Sequence, residues 1–225
     1  MPASRFGWSD LFHGARFLAP VSEEALLLAG RAAGFREGAT LLELACGNGA
    51  VAAFLAEEFH LYARGVEAHA DLLAEAQKHA ERSPAGRRLR FIHGDPLHPD
   101  EGLGPVDVLC DLRLQGATPV EPLRRGGRML VGRFVSRRGA VPAQVAEVFD
   151  LVEPRPPGRV LWRRDATPLE WERYFRPQER ALRAYRARLH DGNPVSPVAI
   201  AADRQLAAFR AHGSYIAYEI AVVQT

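Results

Sequence analysis

The chain predicts an α/β fold with a seven-stranded, mostly parallel sheet, and three observations carry that expectation. First, residues 40 to 52 begin as an apolar run, break at Gly47 and Gly49, and resume as an alanine-rich helix start. Such a run suits a strand buried on both faces, and the small residues after it let a ligand approach the backbone. Second, short apolar runs then alternate with helical patterns, the spacing of parallel strands joined by right-handed crossovers. Third, acids recur at the ends of successive runs: Glu67, Asp95 and Asp111, with Glu43 inside the first.

Residues 1 to 20 read as irregular, with Phe6, Trp8, Phe12 and Phe17 packing the terminus back on the body. Ser22 is an N-cap, with Glu23 and Glu24 in the first turn, where the helix dipole favours acids. That helix runs to Ala33, and Gly34 suits its end. A helix follows the glycine turn over Ala50 to Phe59, then a strand over Tyr62 to Val66. Ala70 to Arg82 is helical and stops at Ser83-Pro84-Ala85-Gly86. Leu89 to His93 and Val106 to Cys110 are strands. Pro119 and Pro122 leave little room for a helix before the strand Arg128 to Phe134.

The last third departs from the alternation. Val141 to Phe149 is a short helix and Val160 to Arg164 a strand. Pro168 to His190 is a long helix with Trp171, Phe175, Leu182, Tyr185 and Leu189 on one side, and Pro177 is expected to kink or divide it. Asp191 to Pro194 is a loop, Ala199 to Ala211 a helix, and Ser214 to Val223 the final strand.

A chain of 225 residues can bury one complete core. An apolar fraction of 47% and a charged fraction of 25% are those of an ordinary globular protein. The net charge of +2 is too small to imply a nucleic-acid partner by itself. Cys46 and Cys110 match no zinc or redox spacing and read as packing residues, expected on neighbouring strands near the crevice. Residues 1 to 17 lack the unbroken apolar segment of a signal peptide, and no run reaches membrane-spanning length, so a cytoplasmic location is expected.

In an open parallel sheet, ligands bind in the crevice at the carboxyl ends of the strands. An acid after the second strand can take both hydroxyls of a ribose. One after the third can accept from adenine's exocyclic amine, and one inside the first can balance a cationic ligand. Four in register point to an adenosine-bearing ligand with positive charge.

Leu42-Glu43-Leu44-Ala45-Cys46-Gly47-Asn48-Gly49 resembles motif I of the class I S-adenosylmethionine-dependent methyltransferases. The resemblance runs from about Val21 to Phe134 and continues through Gly65-Val66-Glu67, Gly94-Asp95-Pro96 and the Leu-x-x-Gly-Gly stretch at Leu123 to Leu130. It implies a Rossmann-like three-layer sandwich with an antiparallel last strand, after a helical insertion. It implies S-adenosylmethionine as cofactor, with Gly47 and Gly49 admitting it, Glu67 on its ribose, Asp95 on its adenine and Glu43 beneath its methionine part. Ala45, Cys46, Ala68, Pro96 and Asp111 complete that set. Ala45 departs from the family, which often has glycine there.

The expected organisation is one domain over residues 1–225, with segments 1–34 and 168–212 covering the acceptor pocket. The expected partner is a small-molecule acceptor bound by a monomer or homodimer, with Trp8, His13, Arg16, Arg113 and Tyr174 as substrate contacts. Methyl transfer needs aligned donor and acceptor, and a general base only if the acceptor arrives protonated. The alternatives are an RNA or protein methyltransferase, a non-catalytic nucleoside-binding protein, and a nicotinamide enzyme, whose G-x-G-x-x-A fingerprint Gly47, Gly49 and Ala52 also fit. Glu43 argues against the last, because it would face pyrophosphate. His93 and His98 flank Asp95 without a zinc spacing, so no metal is expected. Arg173, Arg176, Arg180 and Arg183 form a helical stripe interleaved with Glu170, Glu172 and Glu179, read as a solvated face rather than an RNA track.

Overall fold

The computed structural model describes residues 6–113, 118–137, 141–149, 151, 158–189 and 194–225. Helix α1 (Trp8–Leu11) and α2 (Glu23–Ala33) precede the sheet. Strand β1 (Thr40–Leu44), α3 (Ala50–Phe59), β2 (Tyr62–Glu67), α4 (Ala70–Arg82) and β3 (Leu89–His93) form its first half. Strands β4 (Val106–Asp111) and β5 (Leu123–Ser136), α5 (Ala143–Phe149), β6 (Arg159–Asp165), α6 (Pro168–Arg188), α7 (Pro197–His212) and β7 (Ile216–Gln224) complete it.

The seven strands lie in the order β3-β2-β1-β4-β5-β7-β6. All run the same way except β7, which is antiparallel to both its neighbours. Order reverses beside β1, so the crevice opens where β1 and β4 end. Alternate residues of the central strands serve two faces. Leu41, Val108, Cys110, Leu130 and Val222 join one core cluster with Ala25, Leu26 and Leu55 of α2 and α3. Leu42, Leu44, Leu109, Met129 and Val223 join a second cluster, covered by Leu103, Ile92, Val120 and Leu123. Each fully buried leucine contributes about 2 kcal/mol from burial.

Local signals explain most boundaries. The Ser22 hydroxyl accepts from the Ala25 amide at 3.2 Å, and Gly34 closes α2 in the left-handed conformation. Thr167 and Glu170 form a capping box at the start of α6. Burial works against the charge on Glu170, but the Arg164 guanidinium, the Ser22 hydroxyl and the Thr167 amide together outweigh it and hold the carboxyl below its usual range. Cys110 sits on β4 opposite Glu43 of β1, and Cys46 lies in the loop two residues past the end of β1, so the two strands are neighbours as expected but only Cys110 is on its strand.

Three expectations are corrected. Residues 1 to 20 are not wholly irregular: Trp8–Leu11 is a helical turn. Strand β5 is longer than residues 128–134 at both ends, and its pairing with β4 passes from Leu123 to Arg128 across an irregularity that absorbs the two glycines. Pro177 does not divide α6, which continues to Arg188. Gln178 Nε2 donates to the Tyr174 carbonyl at 3.0 Å, and Trp171, Phe175, Leu182 and Tyr185 bury the helix on both sides of the proline. The expected loop at residues 191–193 lies outside the described residues.

Gly132 of β5 makes room for a buried phenol. A Cβ built there would lie 2.0 Å from the Tyr218 hydroxyl oxygen, which donates to the Leu112 carbonyl at 3.0 Å. Gly132→Ala is therefore expected to cost about 2 to 4 kcal/mol, from overpacking and a buried hydroxyl losing its partner. A melting curve should show the midpoint falling by about 5 to 15 °C; an unchanged midpoint would mean Tyr218 is not held there.

Candidate active site

Strand β1 delivers a tight loop to the crevice. Ala45, Gly47 and Gly49 all have left-handed φ, at 49°, 56° and 72°. Cys46 N–H donates to the Val66 carbonyl, tying the loop to β2. Alanine at a left-handed position costs about 1 to 2 kcal/mol, which is a physical reason for glycine at the position where Ala45 departs from the resembling family.

Three buried carboxylates converge on this loop, and each is held differently. Glu43 points from β1 beneath α3, and its Oε2 accepts from the Ala52 amide at 3.0 Å. Burial pushes its pKa up to about 8; the Ala52 bond opposes that, while the charges of Glu67 and Asp111 add to it. At neutral pH the Glu43 carboxyl therefore carries its proton. Glu67, at the end of β2, accepts from the Gly47 amide through Oε2 at 2.8 Å. Its Oε1 accepts from the His69 amide at 2.9 Å and lies 2.8 Å from His69 Nδ1. Asp111, at the end of β4, is gripped by Arg113 Nε and a terminal guanidinium nitrogen at 2.8 and 2.7 Å, and accepts from the Thr118 hydroxyl at 2.6 Å.

Both cysteines of the site are buried free thiols. Burial, then the charge of Glu43, pushes both the Cys46 and Cys110 thiols well up, with Glu67 adding for Cys46 and Asp111 for Cys110. Asp95 differs from the other acids in being exposed. Its Oδ2 lies 2.9 Å from His98 Nδ1 and its Oδ1 accepts from the Leu97 amide at 2.8 Å, and the His98 contact holds it below its usual range. Pro96 follows in the same turn, and the Ala68 carbonyl lies 3.1 Å from His93 Nε2.

The N-terminal segment straps across this end of the sheet. Leu18 lies on the loop so closely that a Cβ at Gly47 would meet its Cδ1 at 2.6 Å. Asn48 Nδ2 donates to the Arg16 carbonyl at 3.1 Å, and its Oδ1 accepts from the Ala50 amide at 3.2 Å. Farther along, the Ser9 amide donates to Asp71 at 2.9 Å and the Ser196 hydroxyl to the Phe6 carbonyl at 2.8 Å.

Of the expected substrate contacts, Trp8 stands edge-on to His69 with ring centroids 5.6 Å apart, and so reaches Glu67 through one residue. Arg113 is beside the site on Asp111. Tyr174 is buried, donates its hydroxyl to Gln205 at 3.1 Å and contacts Phe12. The structure does not bring Arg16 or His13 to the acids: Arg16 pairs with Glu23 and lies over the rings of Phe17 and Phe54, and His13 is exposed. Sequence reading passed over His69, Asn48, Leu18 and Asp71. Asn48 stood between the two glycines, which was a usable signal; the other three act through contacts distant in sequence or, for His69, through a ring orientation no pattern records.

Comparison with known proteins agrees with this geometry. Residues 41–124 match the family described as a methyltransferase domain. No curated protein matches the chain. Among solved structures, a S-adenosylmethionine-dependent methyltransferase from Thiobacillus denitrificans, in complex with S-adenosylhomocysteine, superposes with a TM-score of 0.74 at 19% identity, over 99% of both chains. One from Geobacter sulfurreducens, in the same complex, gives 0.76 at 19% identity over 96% of both. The [4+2]-cyclase SpnF gives 0.67 at 14% identity, over 90% of this chain and 80% of its own. Residues 41–124 are thus similar to a methyltransferase domain, and the chain has the fold of the class I S-adenosylmethionine-dependent methyltransferases.

Proposed function

We propose that this chain transfers a methyl group from S-adenosylmethionine to a small-molecule acceptor. The observation that carries the proposal is the Glu67 carboxylate, buried at the end of β2 and bonded to the amide of Gly47. A carboxylate offers about four acceptor positions. Three are filled, two of them by His69, whose ring is half exposed. Rotation of that ring would leave Glu67 two acceptor positions, which matches the adjacent hydroxyls of a ribose.

The charge of the site suits a cation. Glu43, Glu67 and Asp111 are buried together, and among the described residues only Asp111 has a guanidinium on it. A sulfonium would relieve that imbalance, and Glu43 could then ionise. Gly47 and Gly49 would admit the cofactor, Asp95 and Pro96 would meet its adenine, and Ala45, Cys46 and Ala68 would line it. When bound, the cofactor supplies the electrophilic methyl group. This chain's residues supply position: the strap over the loop, closed by Leu18 and Asn48, excludes water, and orientation of that kind is worth several kcal/mol of barrier. Asp111, with Arg113 on both oxygens, is not available as a base, which favours an acceptor that arrives already nucleophilic.

A calorimetric titration with S-adenosylmethionine, S-adenosylhomocysteine and NAD tests the proposal. The first two are expected to bind and NAD not to. Binding of NAD in their place would overturn it, and cofactor binding without turnover on any pool of small acceptors would leave a binding protein instead.

A further inference from the structure

A cavity of about 920 Å³ lies between strap residues 14–22, the first turn of α2 and α6, and no residue of the glycine loop is in its lining. Its lining holds five arginines against three carboxylates. Three of the arginines are committed: Arg16 to Glu23, Arg164 to Glu170 and Arg176 to Glu172. Arg173 and Arg180 have no ion-pair partner among the described residues. They are seven residues apart on one face of α6, two turns or about 10 Å. A guanidinium nitrogen of Arg180 comes within 3.9 Å of where a Cβ on Gly14 would lie, so this side chain reaches from α6 to the strap. The lining also has an apolar part, with Phe17, Val21, Tyr174 and Pro177.

Exposed arginines on a flat helix face usually answer to water alone. These two overhang a recess the size of a small organic molecule. The guanidinium fork matches carboxylate and phosphate geometry and gains in strength as water is excluded. The concave shape and the interleaved acids disfavour the continuous basic track that a nucleic-acid backbone needs.

We propose that this cavity binds a small molecule through a phosphate or carboxylate group held by Arg173 and Arg180. The ligand lies against the strap that also carries Leu18 onto Gly47, so occupancy steadies the cover of the glycine loop. The anion is either the charged end of the methyl acceptor or a separate effector. The site stands on its own lining and does not depend on the cofactor assignment.

The test is calorimetry on the full chain with pyrophosphate and with citrate at constant ionic strength. Saturable binding is expected, with Arg173→Gln and Arg180→Gln each weakening it about tenfold. Arg183→Gln, on the same helix but outside the cavity lining, is expected to leave it unchanged, as are the melting temperatures. Absence of saturable binding with either probe, or equal weakening by Arg183→Gln, would overturn the proposal. So would tighter binding of an RNA oligonucleotide that falls steeply with salt and is lost in the same variants. Tighter pyrophosphate or citrate binding after S-adenosylhomocysteine assigns the anion to the acceptor, and unchanged affinity assigns it to an effector; both uphold the site. Failure of S-adenosylhomocysteine to bind the wild type would remove the methyltransferase reading and leave the anion result standing.

Discussion

Replacing Glu67 with glutamine is expected to weaken S-adenosylhomocysteine binding about 100-fold, the loss of roughly two charge-assisted hydrogen bonds to a diol. The reasoning rests on what the side chain already holds. Glutamine can still accept from Gly47 through its one oxygen, so the loop keeps its tie. The amide nitrogen would then face the His69 N–H, leaving that donor without an acceptor, at a stability cost of about 1 to 3 kcal/mol. Affinity and stability therefore separate: a melting curve reads the second and a titration the first. A variant that melts lower but binds S-adenosylhomocysteine like wild type would show that Glu67 only props the loop.

The second large effect is on stability against pH, through Glu43. In the unfolded chain its carboxyl loses its proton near the ordinary value of 4.5, and in the folded chain near 8, because burial disfavours the charge. The folded state holds the extra proton between these values. The stability this group contributes is therefore complete below about 4.5 and falls as pH rises to about 8, by several kcal/mol, on the order of its pKa difference. Glu43→Gln carries no such proton. Its denaturant midpoint is expected to vary less than that of wild type from pH 5 to pH 9, and to exceed it at the alkaline end. Parallel curves for the two proteins would show that Glu43 is ionised in the folded state throughout. A bound cation beside Glu43 should shift the wild-type curve toward the variant's.

Much of the fold was legible because its signals are local. The bounds of α3, α4 and β3 follow from the glycine turn, the Ser83-Pro84-Ala85-Gly86 stop and the short apolar run after it. The register of Glu43, Glu67 and Asp111 at one end of the sheet followed from strand order alone. What escaped was set at a distance. Helix α1 spans only four residues and is fixed by Asp71, more than sixty positions away. The continuity of α6 through Pro177 depends on burial of both its halves, which outweighs the missing amide. The pairing of Arg176 with Glu172 is local to α6, but the recess that Arg173 and Arg180 line was invisible because the strap is brought to α6 only by the fold.

The strap offers its carbonyl and amide groups, rather than its side chains, to Asn48, Ser196 and Asp71. Its residues at those points can drift over evolutionary time without loosening the closure, whereas the three that grip it cannot. Descendants of this chain should therefore preserve the clasp more faithfully than the ribbon it fastens.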